Sequence, residues 1–354
     1  MTAEPPALSP GQRWVLTSIE RQRVLLDDLR ARASNGEGDR GGLVWWVALE
    51  RQARRFLRTT ENWVGSRRLE DVRRDIDDHR AGLSRAADEA RSVAASLDGN
   101  PGDAPSVGLR IAVLGKGGAG KSVISGTLAR LLARSGRRVL AADLDTNPGL
   151  AFSLGAPQVD DGLPLDAVEQ REGPAYGWAL APRLTPRDVV ERYTTPAPDG
   201  VHMLSIGKIG EPEKQAARRS VAPVLQVLAG FGEPGWDVIA DLEAGTTTPF
   251  ERYHAFADRI VLVVGPSWRS ALTARRLLPI IGDLPVTIVA NRFRDEPDHP
   301  GLEPSVRIPF DPALAEAERR GKAPIDHAPD SPGVRAIGSL VSLLEQLERE
   351  EVRS

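Results

Sequence analysis

The 354-residue sequence contains no cysteine. Disulfide bonds, thiolate metal sites and iron–sulfur clusters are therefore excluded. No uninterrupted apolar run approaches the length of about 18 residues that a membrane-spanning helix needs. The first 30 residues carry charges throughout and lack the apolar core of a signal peptide. These absences lead us to expect a cytoplasmic protein.

Lysine is also scarce, because only five of the 46 basic residues are lysine. The formal net charge is −3, so the whole chain has no bulk attraction for nucleic acid or anionic lipid. Two of the five lysines, Lys116 and Lys121, lie within one glycine-rich segment. Lysine is a slim point charge and arginine a broad planar fork, so the two are not interchangeable in a tight anion cradle.

This segment, residues 115 to 122, reads Gly-Lys-Gly-Gly-Ala-Gly-Lys-Ser and fits the P-loop pattern. An apolar run precedes it and a helical pattern follows, which is the strand–loop–helix setting that the motif requires. Lys121 is expected to contact the β- and γ-phosphates, and the hydroxyl of Ser122 to bind Mg²⁺. A glycine-rich turn that binds no ligand is the alternative. The residues expected to cradle a nucleotide are Gly115, Lys116, Gly117, Gly118, Ala119, Gly120, Lys121, Ser122 and Val123.

The chain divides into two parts of different composition. Residues 1–97 predict a small domain of about three helices, and a Gly- and Pro-containing linker follows at 98–107. In residues 108–354, short β-branched runs alternate with amphipathic helices, which predicts an α/β fold with a mostly parallel sheet flanked by helices. Residues 157–200 are rich in Pro and Gly and predict an insertion near the site, with a helix start at Thr185. The candidate strands are 110–114, 138–142, 201–206, 237–241, 259–264, 286–290 and 305–308.

Carboxylates follow two of these strands. Asp143 and Asp145 come at the end of one strand, at the edge where open α/β sheets bind ligands. They alternate along an extended chain and should therefore have different tasks. Asp241 ends an apolar strand in the Walker B arrangement, which binds Mg²⁺ through water. The alternative for Asp143 and Asp145 is that both are loop carboxylates that cap a helix near Leu150.

The loop with Lys116 and Lys121 resembles the deviant Walker A motif of the MinD/ParA/ArsA class of P-loop ATPases. The resemblance implies a Mg²⁺-dependent ATP hydrolase that forms a homodimer when ATP binds. By the same resemblance Lys116 reaches the partner's nucleotide, and the alternative is a solvated loop lysine. Asp143 would support the Mg²⁺ shell and Asp145 would orient the attacking water. The implied catalytic residues are Lys116, Lys121 and Asp145, and the implied Mg²⁺ residues are Ser122, Asp143 and Asp241, partly through water.

Two later segments resemble the adenine site of this class. Asn291 ends a strand and could bind the edge of adenine, as the corresponding residue does in the class. Pro309, Phe310 and Asp311 resemble the loop that wraps the base before a helix. The GTPase pattern Asn-Lys-x-Asp is not met, since Arg292 follows Asn291, so the sequence favours ATP over GTP. Asn291 as a plain strand-end turn residue remains the alternative.

Within this class the chain resembles most the CooC-like branch, whose ATPases help to insert nickel into carbon monoxide dehydrogenase. The resemblance covers about residues 109–323. Those proteins carry a Cys-x-Cys metal site shortly after the strand equivalent to 201–206, whereas residues 207–216 here contain no cysteine. The five histidines do not show ligand spacing. We therefore expect the nucleotide switch to be kept and the metal cargo function to be absent.

The predicted N-terminal helices suggest a partner surface. An arginine stripe flanked by tryptophans at 45, 46 and 63 could bind nucleic acid. An acidic stripe on the next predicted helix could pair with it instead, and residues 1–107 carry 17 positive and 17 negative side chains. The balance favours pairing within the protein over nucleic acid, and binding of an unidentified protein partner stays open. The arginines are at 51, 54, 55 and 58, and the acidic residues are Asp71, Asp75 and Asp78.

The C-terminal residues 334–352 show helical spacing, and glutamates outnumber arginines there. That sign is wrong for anionic lipid, so a helix packed on the sheet is expected and a membrane helix is not. The sequence thus predicts an ATPase switch that regulates or matures a protein partner. Two alternatives stay open: a non-hydrolysing nucleotide-binding regulatory or scaffold module, and a ParA-like DNA-partition ATPase.

Overall fold

The structure, a computed structural model, describes residues 108–171, 177–208, 214–231, 233, 235–246, 253–294 and 299–353. The predicted N-terminal helical domain and the linker lie outside these residues. In chain order the strands are β1 (Arg110–Gly115), β2 (Arg138–Leu144), β3 (Val168–Arg171), β4 (Gly177–Leu180), β5 (Thr195–Pro196), β6 (His202–Ser205), β7 (Trp236–Leu242), β8 (Arg259–Val264), β9 (Val286–Phe293) and β10 (Val306–Pro309).

Eight of these strands form one sheet in the order β10-β9-β8-β1-β7-β2-β6-β5. Every neighbouring pair is parallel except β5 and β6, which pair in antiparallel fashion at the edge. The seven strands predicted from the sequence are all present in this sheet. The α/β fold with a mostly parallel sheet is therefore confirmed. The short edge strand β5 and the hairpin of β3 and β4 were not predicted.

The described helices are α1 (Lys121–Arg134), α2 (Leu150–Leu154), α3 (Pro186–Tyr193), α4 (Lys214–Gly230), α5 (Trp268–Ile281), α6 (Pro312–Arg319), α7 (Pro324–His327) and α8 (Pro332–Arg353). They cover both faces of the sheet, because successive strand residues point to opposite sides. In β1, for example, Leu114 packs in the core with α4 and α5, and Val113 packs in the core with α1 and α8. Both faces of the central strands are therefore buried.

The C-terminal helix α8 packs on the sheet as the sequence predicts. Ile337, Leu340 and Leu344 are buried in the same core as α1. Arg137 fixes this helix to β7, because its guanidinium binds Asp237 at 2.6 Å and Glu348 at 3.0 Å. Among the described residues, no helix has both the length and the apolar character needed to cross a membrane.

The Pro- and Gly-rich region 157–200 contributes to the core on the α4 side of the sheet. Helix α3 begins there at Pro186, as predicted, directly after the N-cap residue Thr185. The hydroxyl of Thr185 accepts the N–H of Asp188 in a capping box. Ala167 and Val189 are fully buried in that core. None of the described residues of this region lines either cavity of the candidate site described next.

Candidate nucleotide-binding site

The glycine-rich loop connects the carboxyl end of β1 to the amino end of α1, which is the setting that the P-loop motif requires. Gly120 directly precedes the helix with φ of 95°, in the left-handed region that favours glycine. A Cβ atom at Gly120 would lie 2.3 Å from the amide nitrogen of Asn291. Glycine is thus required at this position by both its backbone conformation and its neighbour.

The two loop lysines have different surroundings. Lys121 is the first residue of α1, and only 6% of it is exposed. Lys116 is half-buried, and its ammonium group donates to the carbonyl oxygen of Gly117 at 3.3 Å. Lys121 is therefore held at the loop by burial, whereas Lys116 makes one long bond within the loop.

Two buried carboxylates lie side by side next to this loop. Strands β2 and β7 are neighbours, and Asp143 pairs with Asp241 in their register. Burial raises the pKa of Asp143 to about 7, and the charge of Asp241 adds to this effect. Burial also raises the pKa of Asp241 to about 6, whereas the charge of Lys121 acts in the opposite direction. Burial therefore raises the pKa of both carboxyls.

Asp143 and Asp145 also make local hydrogen bonds. One oxygen of Asp143 accepts the N–H of Leu150 at 3.0 Å, at the start of α2, and the other accepts the N–H of Asp145 at 3.1 Å. Asp145 accepts the N–H of Asn147 at 2.8 Å. Asp143 thus caps the helix at Leu150 and Asp145 closes its own turn, and whether these carboxylates have a further role stays a prediction.

The oxygen donors beside Lys121 fit Mg²⁺. Asp241 is fully buried, and its Oδ2 atom has no hydrogen-bond partner among the residues that the structure describes. Its Oδ1 atom accepts a long bond of 3.4 Å from the hydroxyl of Ser125. Buried polar atoms normally have partners, and Mg²⁺ prefers hard oxygen ligands. The hydroxyl of Ser122 is close enough to lower the pKa of Asp241, so a second oxygen donor is at hand.

A small cavity of about 140 Å³ lies where the sequence predicted the adenine base. Asn291 is 5% exposed, and its amide NH₂ donates to the carbonyl oxygen of Ala119 at 2.7 Å. Both oxygens of Asp311 accept backbone N–H groups, from Ala313 at 2.9 Å and from Gly333 at 2.8 Å. The lining residues are Val123, Asn291, Arg292, Ile308, Pro309, Phe310, Asp311, Leu314, Ala315 and Glu318.

A larger cavity of about 350 Å³ shares Arg292 with the small cavity and is also lined by Lys116. The guanidinium of Arg294 lies 4.0 Å from the centre of the Phe310 ring, within the range of a cation–π contact. Phe310 is 39% exposed. The lining residues are Lys116, Gly117, Gly118, Ala119, Gly265, Pro266, Ser267, Ser270, Arg292, Arg294 and Phe310.

Residues 111–325 match the family model of the CobQ/CobB/MinD/ParA nucleotide-binding domain. The chain belongs to this family. It is 29% identical over 266 residues to the carbon monoxide dehydrogenase accessory protein CooC of Rhodospirillum rubrum, which covers 68% of this chain and 97% of CooC. An uncharacterized ATP-binding protein of Methanocaldococcus jannaschii is 26% identical over 266 residues, which covers 68% of this chain and 99% of that protein.

The same fold occurs in the cell division ATPase MinD of Pyrococcus furiosus. The crystal structure of that protein superposes with a TM-score of 0.50 and 23% sequence identity, and it covers 67% of this chain and 99% of MinD. The predicted resemblance to the MinD/ParA class and to CooC-like proteins is thus confirmed for the fold and the family.

As expected for a MinD/ParA-type domain, the fold brings the predicted site residues to one edge of the sheet, from Asp143 on β2 past Lys121 after β1 to Asn291 on β9. Their individual roles stay predictions. Sequence reasoning did not single out the loop after β8, nor Arg292 and Arg294 as lining residues. Arg292 has φ of 62°, donates to the carbonyl oxygen of Gly118 at 3.1 Å and lines both cavities. The position of these residues after the carboxyl ends of β8 and β9 is the sequence feature that could have identified them.

Among the described residues, no group of three or more His, Asp and Glu side chains lies close enough to hold a metal ion. Three of the five histidines belong to separate elements: His202 is on β6, His254 follows β7 and precedes β8, and His327 is on α7. The expected loss of the metal cargo function stays a prediction.

Proposed function

We propose that this chain is a Mg²⁺-dependent ATP hydrolase whose nucleotide state controls homodimerisation and its action on a protein partner. The observation that carries the proposal is the convergence of Lys121, Asp143 and Asp241 at the P-loop, where the buried Oδ2 atom of Asp241 has no hydrogen-bond partner within the described part of the chain. A phosphate chain with its bound metal would fit beside these groups. The buried cation can bind the phosphates, and the two buried carboxylates can bind the metal.

The binding residues can be assigned from the same geometry. The backbone N–H groups of the loop and the ammonium group of Lys121 would bind the phosphates, with the amino end of α1 adding positive potential. Ser122 and Asp241 would hold Mg²⁺, and Asp241 would do so through a water molecule. Asp143 would support this Mg²⁺ shell. Mg²⁺, when bound, neutralises charge on the β- and γ-phosphates.

The orientation of Asn291 supports adenine as the base. Its NH₂ group is used on the carbonyl oxygen of Ala119, so its own carbonyl oxygen remains as the acceptor that can face the cavity. Adenine presents an exocyclic amine, which is a donor, and guanine presents a carbonyl oxygen at the same position. An acceptor at Asn291 therefore suits ATP better than GTP.

Asp145 is the residue proposed to orient the attacking water. It follows β2 directly, is half-buried, and has one oxygen engaged by the N–H of Asn147. A carboxylate can accept several hydrogen bonds, so that bond leaves capacity for a water molecule. Orienting the nucleophile and stabilising charge are most of what a protein contributes to phosphoryl transfer.

Lys116 is proposed to act between subunits. Its single long bond to the carbonyl oxygen of Gly117 leaves the ammonium group able to turn outward. It lines the larger cavity with Arg292 and Arg294, at the edge of the sheet where a second copy would meet the nucleotide. A homodimer joined across two nucleotides would use these cations against phosphate charge.

The proposed partner is a protein, with the similarity to CooC, an accessory protein of carbon monoxide dehydrogenase, as support. We do not extend the proposal to metal delivery, because the chain has no cysteine to bind a soft metal.

Phosphate release from ATP by the purified full chain tests the proposal. We expect release that depends on Mg²⁺ and is lost in Lys121→Ala, because the buried cation at the phosphates is removed. The matched control is Lys322→Ala, which removes an exposed lysine far along the chain and should behave as wild type. Equal release from wild type and Lys121→Ala would reject the assignment of this site.

A non-hydrolysing nucleotide-binding module is the second candidate. The observation that favours it is that Asp143 and Asp145 both accept local backbone N–H groups, as purely structural carboxylates would. ATP binding without any phosphate release, with Lys121→Ala losing the binding, would support this candidate over the hydrolase.

A further inference from the structure

Two loops run next to each other beyond the paired ends of β2 and β7. The register of these strands extends to Leu144 opposite Leu242, where the backbone pairing ends. A side-chain bond then joins them, because the hydroxyl of Thr146 donates to an oxygen of Glu243 at 2.9 Å. Both residues are half-buried. We call this contact the Thr146–Glu243 bond.

The second loop is also attached to the P-loop. The N–H of Gly245, two residues after Glu243, donates to the carbonyl oxygen of Gly115 at 3.3 Å. A continuous set of contacts therefore runs from the first glycine of the P-loop to Glu243 and on to Thr146. Thr146 directly follows Asp145 in the chain.

Asp145 is thus held from both sides. On one side Asp143 accepts its backbone N–H at 3.1 Å, and on the other side its own carboxylate accepts the N–H of Asn147 at 2.8 Å. The contact with Asn147 belongs to a short turn that lies beyond the end of β2, outside the backbone hydrogen bonds of the sheet. The Thr146–Glu243 bond attaches this turn to the neighbouring loop.

We propose that Glu243 and Thr146 are positioning residues that hold Asp145 at the P-loop, an inference that rests on the proposed hydrolase function. Glu243 acts through Thr146 and is not itself placed on the reacting atoms. The bond to a carboxylate is charge-assisted, so it is stronger than a bond between two neutral groups. A nucleophile-orienting group that moves by about 1 Å can cost a large factor in rate, which is why fixing this turn matters for hydrolysis.

The sharpest variants differ in one chemical group. Thr146→Val replaces the hydroxyl by a methyl group of similar size, whereas Thr146→Ser keeps the hydroxyl. Glu243→Met removes the acceptor, whereas Glu243→Gln keeps an oxygen that can accept from Thr146. Thr273→Val is the matched control, because Thr273 lies on α5 and its hydroxyl donates within that helix to the carbonyl oxygen of Arg269.

The first measurement is steady-state phosphate release by the full chain. We expect kcat to fall about 10-fold or more in Thr146→Val and Glu243→Met, with KM changed by less than about 2-fold, since only an interaction needed in the reaction is lost. Thr146→Ser and Glu243→Gln should keep most of the wild-type kcat. The double variant Thr146→Val/Glu243→Met should be no worse than Glu243→Met alone, because loss of the acceptor already breaks the bond that Thr146→Val removes.

The second measurement does not depend on activity. Hydrogen–deuterium exchange of a peptide spanning residues 145–149 should be faster in Thr146→Val and Glu243→Met than in wild type, with the Ser and Gln variants close to wild type. Exchange of the P-loop peptide should stay unchanged. This readout separates a loosened turn from general unfolding.

The outcomes distinguish the two proposals. No phosphate release by wild type would refute the hydrolase function, and the exchange data would still decide whether the bond holds the turn. Unchanged exchange and unchanged kcat in Thr146→Val would overturn the positioning role. A Thr146→Ser variant as impaired as Thr146→Val would also overturn it, because the hydroxyl would then not be the group that matters.

Discussion

Replacing Asp241 by asparagine should make the isolated protein more stable although it removes a residue of the proposed metal site. Asp241 is fully buried and its pKa is raised from 3.8 to about 6. A carboxyl whose pKa is higher in the folded than in the unfolded protein destabilises the fold once it ionises. That loss of stability grows as the pH rises from the unfolded pKa to the folded pKa.

The magnitude follows from the same shift. A change of about 2 pKa units corresponds to about 3 kcal/mol, at about 1.4 kcal/mol per unit. The attraction of Lys121, which opposes the rise in pKa, is already contained in this shift. Asparagine has nearly the same shape and can still accept the hydroxyl of Ser125, so no cavity is created. We therefore expect Asp241→Asn to gain about 3 kcal/mol at about pH 8 and about half of this at about pH 5.

Thermal unfolding without nucleotide is the assay, with added Mg²⁺ and ATP as a second condition. For a domain of this size, 1 kcal/mol shifts the melting temperature by about 2 to 4 °C, so a rise of about 6 to 12 °C is expected at about pH 8. Stabilisation by Mg²⁺ with ATP should be smaller in the variant. Asp283→Asn, at an exposed aspartate, is the control and should change little.

Two results would refute this reasoning. If Asp241→Asn is no more stable than wild type at about pH 8, the buried charge is compensated in a way that the geometry does not show. If the gain is the same at both pH values, its cause is not the ionisation of the carboxyl.

Lys116→Ala should weaken ATP-dependent dimerisation more than nucleotide binding, measured by light scattering and by binding of a fluorescent ATP analogue; a variant that dimerises like wild type would contradict the intersubunit role. Asp145→Asn should keep ATP-bound dimers and slow phosphate release by orders of magnitude, about 100-fold or more, and wild-type release would reject the water-orienting role. Arg137→Met should lower the free energy of unfolding by about 3 to 5 kcal/mol in urea titrations, because the buried carboxylates Asp237 and Glu348 lose their cation; a loss below about 1 kcal/mol would show that they find other partners. Elemental analysis of the tag-free protein should find no stoichiometric transition metal, and one nickel or zinc per dimer that survives a chelator would return the metal-carrier hypothesis.

The parallel sheet could be predicted from the sequence because its strands are buried on both faces. Such strands are continuous apolar runs, and the run from 259 to 264 matches β8 residue for residue. The hairpin of β3 and β4 is different, because Glu169, Gln170 and Arg171 give it no apolar run. Its strands are defined by pairing with each other and by packing on α4, which are contacts between distant residues that local patterns do not contain.

The candidate site shows the same division. The glycine-rich loop and the carboxylates at the carboxyl ends of β2 and β7 could be predicted because their chemistry is tied to fixed positions in the chain. The sequence alone does not decide whether Asp143 caps the helix at Leu150, since only geometry shows which N–H a carboxylate accepts. Arg292 and Arg294 were not singled out as lining residues, because the direction of a side chain after the end of a strand depends on the neighbouring loops.

The chain enters the described domain at Gly108, far from the candidate site. Gly108 donates its N–H to Glu348 at 2.9 Å, and a Cβ atom there would lie 2.0 Å from the carbonyl oxygen of Trp236, so the chain enters the domain at a fixed and crowded place. This place is at the amino end of β1, and the P-loop is at the carboxyl end, about 20 Å away at about 3.3 Å per residue. At Gly108 the chain therefore lies at the edge of the sheet opposite the P-loop. The contacts that fix Gly108 are therefore separated from the P-loop by the whole length of β1.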